Sequence, residues 1–80
     1  MTFGDAIVAM QAGKLVRRAG WNGKNMHIYL EDGYTMCKGR GTERTYEPAI
    51  HMYTAQGKHQ PGWHASQQDM LSHDWEVVPE

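Results

Sequence analysis

Eighty residues carrying 8 Lys+Arg against 9 Asp+Glu, a net charge of −1, make one domain at most. A chain this short buries only about 60–65% of its unfolded surface, so its core is small and gains from oligomerisation. The charge balance argues against a general nucleic-acid binder, which shows a basic excess. No stretch is apolar for long enough to span a membrane, and no N-terminal run resembles a signal peptide. The single cysteine, Cys37, excludes an intrachain disulfide and suits a reducing compartment, so the expected location is the cytoplasm.

In chain order, Thr2 reads as a helix N-cap, with Asp5 three residues on making a weaker version of the capping box. Phe3, Ala6, Ile7 and Met10 recur at helical spacing and Gly13 suits a C-cap, so a short amphipathic helix is predicted over 3–12. Residues 14–18 read as a strand, and Asn22-Gly23 is a tight-turn signal. Met26, Ile28 and Leu30 alternate with His27 and Tyr29, the period of a half-buried strand. Residues 34–38 continue as a strand, whereas the glycines, mixed charges and proline of 39–48 predict a loop. In the strand 49–54, Ile50 and Met52 take one face and His51 and Tyr53 the other. A hairpin turn at 55–58 leads to a strand near 59–64, placed at an edge because Pro61 cannot donate to a ladder. Ser66 and Asp69 repeat the capping pattern ahead of one or two helical turns over 67–72, and 75–78 closes as a strand. This order makes the fold α+β: a small, mainly antiparallel sheet packed by an N-terminal helix and a short C-terminal helix.

The chemical signals favour binding over catalysis. The five histidines, His27, His51, His59, His64 and His73, lack the close ligand pairs of zinc sites, so solvent-facing histidines and no metal are expected. There is no nucleophile elbow, no Cys–His pair and no phosphate loop at Gly39-Arg40-Gly41-Thr42. Asp69 and His64 are the one tempting acid/base pair. In "GWHASQQDMLSHDW", Trp63 and Trp75 suit a core. Ser66 and Asp69 suit a cap, and a free helix N-terminus would attract a phosphate while the amides of Gln67 and Gln68 read ribose or base edges. Trp21, in "RRAGWNGK", either folds back onto the core or faces a flat, negatively charged ligand. Its flanking glycines allow close backbone approach, indole stacking on a base contributes about 1–3 kcal/mol, and Arg18 can grip a phosphate bidentately.

The ordered motifs T-F-G near the start, R-x-G-W-N-G after the first strand and W-x-A-S-Q-x-D-x-L-x-x-D-W near the end resemble a family of small phage and prophage proteins, the second type of Thoeris anti-defense protein. The resemblance runs through 2–30 and 49–78 and does not extend to 31–48; Pro61 and His64 in "HQPGWHAS" depart from it. It implies a non-enzymatic sponge, without cofactor, that sequesters cyclic ADP-ribose isomers, with cyclic dinucleotides at other sites in some members. It further implies a homotetramer with ligand pockets between protomers and no DNA, RNA or membrane partner. Carried over by motif, Trp21 stacks on the base, Arg18 and Asn22 meet phosphate or ribose, Ser66, Gln67 and Asp69 line the polar side, and Trp63 joins the ligand contacts. The alternatives are a messenger-degrading enzyme and a phage protein–protein adaptor.

Overall fold

The computed structural model describes residues 1–33, 35–37 and 43–79. Its elements are α1 (Phe3–Gln11), β1 (Val16–Arg18), β2 (His27–Glu31), β3 (Thr35–Cys37), β4 (Glu43–Thr45), β5 (Ala49–Tyr53), β6 (His59–Pro61), α2 (Gln67–Leu71) and β7 (Trp75–Val77). Five strands form one antiparallel sheet in the order β6-β5-β2-β1-β7, and β3 and β4 pair with each other in a separate two-stranded sheet.

Helix α1 starts where the capping box predicts. The Asp5 N–H donates to Thr2 Oγ1 (3.1 Å) and the Thr2 N–H donates to Asp5 Oδ2 (3.2 Å). It ends on Gln11, one residue before the predicted boundary, with Ala12 as its C-cap, because Gly13 takes a left-handed conformation (φ 87°). There the Gly13 N–H donates to the Met10 carbonyl and the Lys14 N–H to the Ala9 carbonyl, both at 3.0 Å. This paired closure satisfies the last carbonyls of the helix. It also draws Lys14 into the helix end, so β1 begins at Val16 rather than at Lys14.

The core lies between α1 and one face of the large sheet. Ala6, Met10, Val16, Ile28 and Trp75 are buried, with Phe3, Ile7, Leu30, Ile50 and Met52 packed around them. The register sets this face: Ile28 is opposite both Val16 and Met52, and Leu30 is opposite Ile50. The period of two then sends His27, Tyr29, His51 and Tyr53 to the other face. They form a ring array there with His59 of β6. His27 stacks on Tyr53 (5.2 Å between centroids), and the Tyr29 hydroxyl meets His59 Nδ1 at 2.7 Å. His51 is buried within this array rather than facing solvent, because Tyr29 lies against it across the strand pair (5.6 Å).

Two other expectations are corrected. Residues 43–45 form a strand inside the stretch read as a loop: Glu43–Thr45 pairs with Thr35–Cys37 in an antiparallel ladder, and backbone pairing does not require the apolar alternation by which strands are read from sequence. Tyr34, Lys38 and residues 39–42 lie outside the described residues. Nor does the tight turn centre on Asn22-Gly23. Residues 19–26 connect β1 to β2 through two turns, closed by the Trp21 N–H on the Arg18 carbonyl (3.2 Å) and the Met26 N–H on the Gly23 carbonyl (3.1 Å). The left-handed residue of this connection is Asn25 (φ 61°).

Gly23 is needed here for space. A Cβ on it would overlap the Met26 side chain and come within 2.7 Å of the Ala55 Cβ. Gly23→Ala is therefore expected to destabilise the protein by about 1–3 kcal/mol, as overpacked sites do. Thermal unfolding checks this, and an unchanged midpoint would show that Met26 moves aside freely. Gly20, by contrast, has open space where a side chain would stand.

Candidate functional site

The two long motifs, 45 residues apart in the chain at Trp21 and Ser66, converge at one end of α2. Pro61 ends β6 at the sheet edge, as expected for a residue without an N–H, and Gly62 (φ 77°) turns the chain back. The Trp63 N–H then donates to the Ile50 carbonyl (2.9 Å), which anchors Trp63 against the core. Trp21, Trp63 and Trp75 meet edge to face, at 5.4 Å for Trp21–Trp75, 6.1 Å for Trp21–Trp63 and 6.3 Å for Trp63–Trp75. Trp75 is only 2% exposed, while Trp21 and Trp63 are half-buried. Trp21 thus has the apolar neighbours that its own segment lacks: they come from residues 63 and 75. It is neither a free platform nor a fully buried core residue, and it leaves part of its ring to solvent.

The polar side is built around Asp69. Its N–H donates to Ser66 Oγ (3.1 Å) and its Oδ2 accepts from the Ser66 N–H (2.9 Å), the capping box of α2. Its Oδ1 accepts from Arg18 Nη1 (3.0 Å), and its carbonyl accepts from the Trp75 indole N–H (2.8 Å). One residue therefore ties the cap, the cation and the aromatic cluster together. At the N-terminus of α2 the Asp69 carboxylate takes the Ser66 N–H, so a negative charge already lies at the end where a phosphate was expected. Neither carboxylate oxygen of Asp69 turns to His64: one takes the Ser66 N–H and the other Arg18.

Arg18 is held from two sides. Its Nε donates to Asp74 Oδ1 (3.0 Å) as Nη1 donates to Asp69. Those hydrogen bonds, Asp74 first and then Asp69, raise the guanidinium pKa further above its ordinary value. Among the described residues two of its five donors are engaged, at Nε and Nη1.

Burial works to raise the Asp69 pKa, but the Ser66 and Arg18 hydrogen bonds outweigh it and hold the carboxyl below its ordinary range. A depressed carboxylate pKa contributes stability that is present above the unfolded value, near 4, and is lost as pH falls through the folded value. Asp69→Asn is accordingly expected to lower the midpoint of unfolding at pH 7 and to flatten its decline below about pH 4. Melting curves of both proteins across pH 2–7 check this; parallel acid limbs would count against it.

Of the residues singled out from the sequence, Arg18, Trp21, Trp63, Ser66 and Asp69 are joined by hydrogen bonds and ring contacts. Asn22 and Gln67 adjoin them in the chain and are exposed. Sequence reasoning missed Asp74 and the double role of Trp75. The D-W pair at 74–75 closes the third motif, which was the available signal. Among the described residues no group of three or more His, Cys, Asp or Glu is placed to hold a metal ion, and no helix is long and apolar enough to cross a membrane.

Comparison with known proteins agrees with these motifs. A family profile for the Tad2-like group, the Thoeris anti-defense 2-like domain, matches residues 1–78. The chain is also 34% identical over 85 residues to a protein named Thoeris anti-defense 2 from Bacillus phage SP01, a match covering 98% of this chain and 94% of that relative.

Proposed function

The chain belongs to the Thoeris anti-defense 2-like family, and from that membership we propose that it is a non-enzymatic sponge which binds cyclic nucleotide immune messengers and holds them without cleavage. The preferred class is the cyclic ADP-ribose isomers, with cyclic dinucleotides as a second class, and the place of action is the host cytoplasm. The observation that carries this reading is the joining of a half-buried indole pair, Trp21 and Trp63, to an arginine with donors to spare, Arg18. A nucleotide presents a flat base and an anionic diphosphate, and these are the two groups that such a site recognises. The acid/base side favours sequestration too. Asp69 is ionised and committed to Ser66 and Arg18, an arrangement suited to orienting a cation rather than moving a proton.

The working unit in this reading is a homotetramer with pockets between protomers. Leu71 is 75% exposed on α2, and Val8, Met70 and Val77 are exposed as well. These apolar side chains supply material for subunit contacts around the site.

The test is direct. Calorimetry with cyclic ADP-ribose isomers and cyclic dinucleotides should detect binding, and the denatured complex should release the messenger intact for mass spectrometry. Release of a cleaved product would establish the enzyme alternative. Lack of binding to every messenger, with the protein folded, would favour the adaptor alternative. Light scattering should return a multiple of 9.1 kDa; a monomer with a full complement of ligand would remove the inter-protomer pocket.

A further inference from the structure

We propose that Asp74 is a built-in competitor for the ligand's phosphate: it occupies the Nε edge of Arg18 in the free protein and yields that edge when the messenger arrives. This inference rests on the binding role given to Arg18 above.

The two carboxylates on Arg18 are not equivalent. Asp69 is the more buried of the two, with a side chain 15% exposed, and both its oxygens are fixed, one by the Ser66 N–H and one by Arg18 Nη1. Moving it would also undo the cap of α2. Asp74 is 40% exposed, and its side chain makes one described hydrogen bond, to Arg18 Nε. Its backbone stays in place independently, because its carbonyl accepts from the Ala19 N–H (3.0 Å). The Asp74 side chain can therefore rotate into solvent without disturbing β7 or the loop that carries Trp21. Asp69 positions the cation, and Asp74 covers one edge of it.

The charge count points the same way. Arg18 with Asp69 is neutral, but adding Asp74 gives the cluster a net charge of −1, which repels a phosphate. Rotation of Asp74 opens the Nε edge and moves that repelling charge outward. The arrangement selects ligands whose anionic group competes with a carboxylate at a guanidinium, and phosphates do so through bidentate geometry. It disfavours nucleosides and other neutral aromatics, which gain nothing from displacing Asp74. Discrimination then follows from a repulsive element as well as an attractive one.

The experiment compares Asp74→Asn and Asp74→Ser with the parent, using cyclic ADP-ribose isomers and uncharged adenosine as probes. Relief of one partly exposed ion pair and one nearby like charge is expected to tighten binding of the anionic probes about three- to thirtyfold. Adenosine affinity should not move. Rising salt screens the repulsion in the parent, so the affinity gain of the variants over the parent should shrink as salt is added. On an Arg18→Gln background the Asp74→Asn gain should vanish, as a double-mutant cycle requires if the two act through each other. If the parent binds the isomers and both Asp74 variants melt normally yet bind no tighter, the competitor role is overturned and the sponge reading stands. If neither the parent nor the variants bind any isomer, the sponge reading falls, and this inference falls with it. Asp74→Ser keeps the question open to measurement should Asp74→Asn fold poorly.

Discussion

Trp75→Ala is expected to be the most destabilising of the single substitutions. Trp75 is the largest of the buried side chains, in ring contact with Phe3 (5.2 Å), Trp21 (5.4 Å) and Trp63 (6.3 Å). Removing such a ring from a core costs about 3–5 kcal/mol. The Asp69 carbonyl would also lose the indole N–H that it accepts from at 2.8 Å. Against this, an 80-residue domain has roughly 4–12 kcal/mol in all, at about 0.05–0.15 kcal/mol per residue. Each kcal/mol corresponds to about 4–8 °C in a domain of this size, so the midpoint should fall by at least about 12 °C. Trp75→Phe keeps the ring but loses the N–H, and should give up part of that. Circular dichroism melts of the three proteins check the order. A Trp75→Ala midpoint within a few degrees of the parent would mean that the indole cluster contributes little to the fold.

Trp21→Ala is expected to be the second-largest change, and to act on both stability and binding. The half-buried ring has edge-to-face contacts with Trp63 and Trp75, each worth about 0.5–1.5 kcal/mol beyond area. A stability loss of about 2–3 kcal/mol is therefore expected, smaller than for a fully buried tryptophan. If the exposed part of the ring stacks on the base, affinity should fall by about five- to 150-fold, equivalent to about 1–3 kcal/mol. Trp21→Phe separates the two effects: it retains an aromatic face for the base but has less ring to reach both partners. The measurements are melting temperature and calorimetric affinity on the same preparations. A variant that melts as the parent does and binds as tightly would remove Trp21 from both roles.

What was legible in the sequence depended on range. Both capping boxes were readable because Thr2–Asp5 and Ser66–Asp69 are contacts over three residues. The two faces of β2 and β5 were readable because alternation needs only the neighbouring residues. The connection at 19–26 was readable only in part. Asn22-Gly23 signals a tight turn, but here Met26 and Ala55 pack against Gly23 and two turns divide the segment that joins the paired strands β1 and β2.

The site was legible as a set of residues but not as an arrangement. Arg18 reaches Asp69 and Asp74 across separations of 51 and 56 residues. Nothing in "RRAGWNGK" states that its arginine already has anionic partners. Nor could the segment show that Trp21 has apolar company, since that company arrives through the Gly62 turn and through β7. Asp74 was visible as a motif letter, but its relation to Arg18 depends on the β1–β7 pairing, in which Arg18 is opposite Trp75.

The clustering of the three indoles has an optical consequence. Their ring centroids lie 5.4, 6.1 and 6.3 Å apart, at interplanar angles of 78°, 68° and 82°. At such separations excitation passes readily from one indole to another, so light absorbed by one ring can be emitted by its neighbour. Excitation that starts on buried Trp75 can migrate to Trp21 and Trp63, the half-buried members of the cluster. A quencher or a stacked base touching Trp21 alone therefore dims the whole cluster, and loss of the coupled near-ultraviolet circular dichroism bands reports its dispersal. The protein carries its own label at the place where its ligand is proposed to dock.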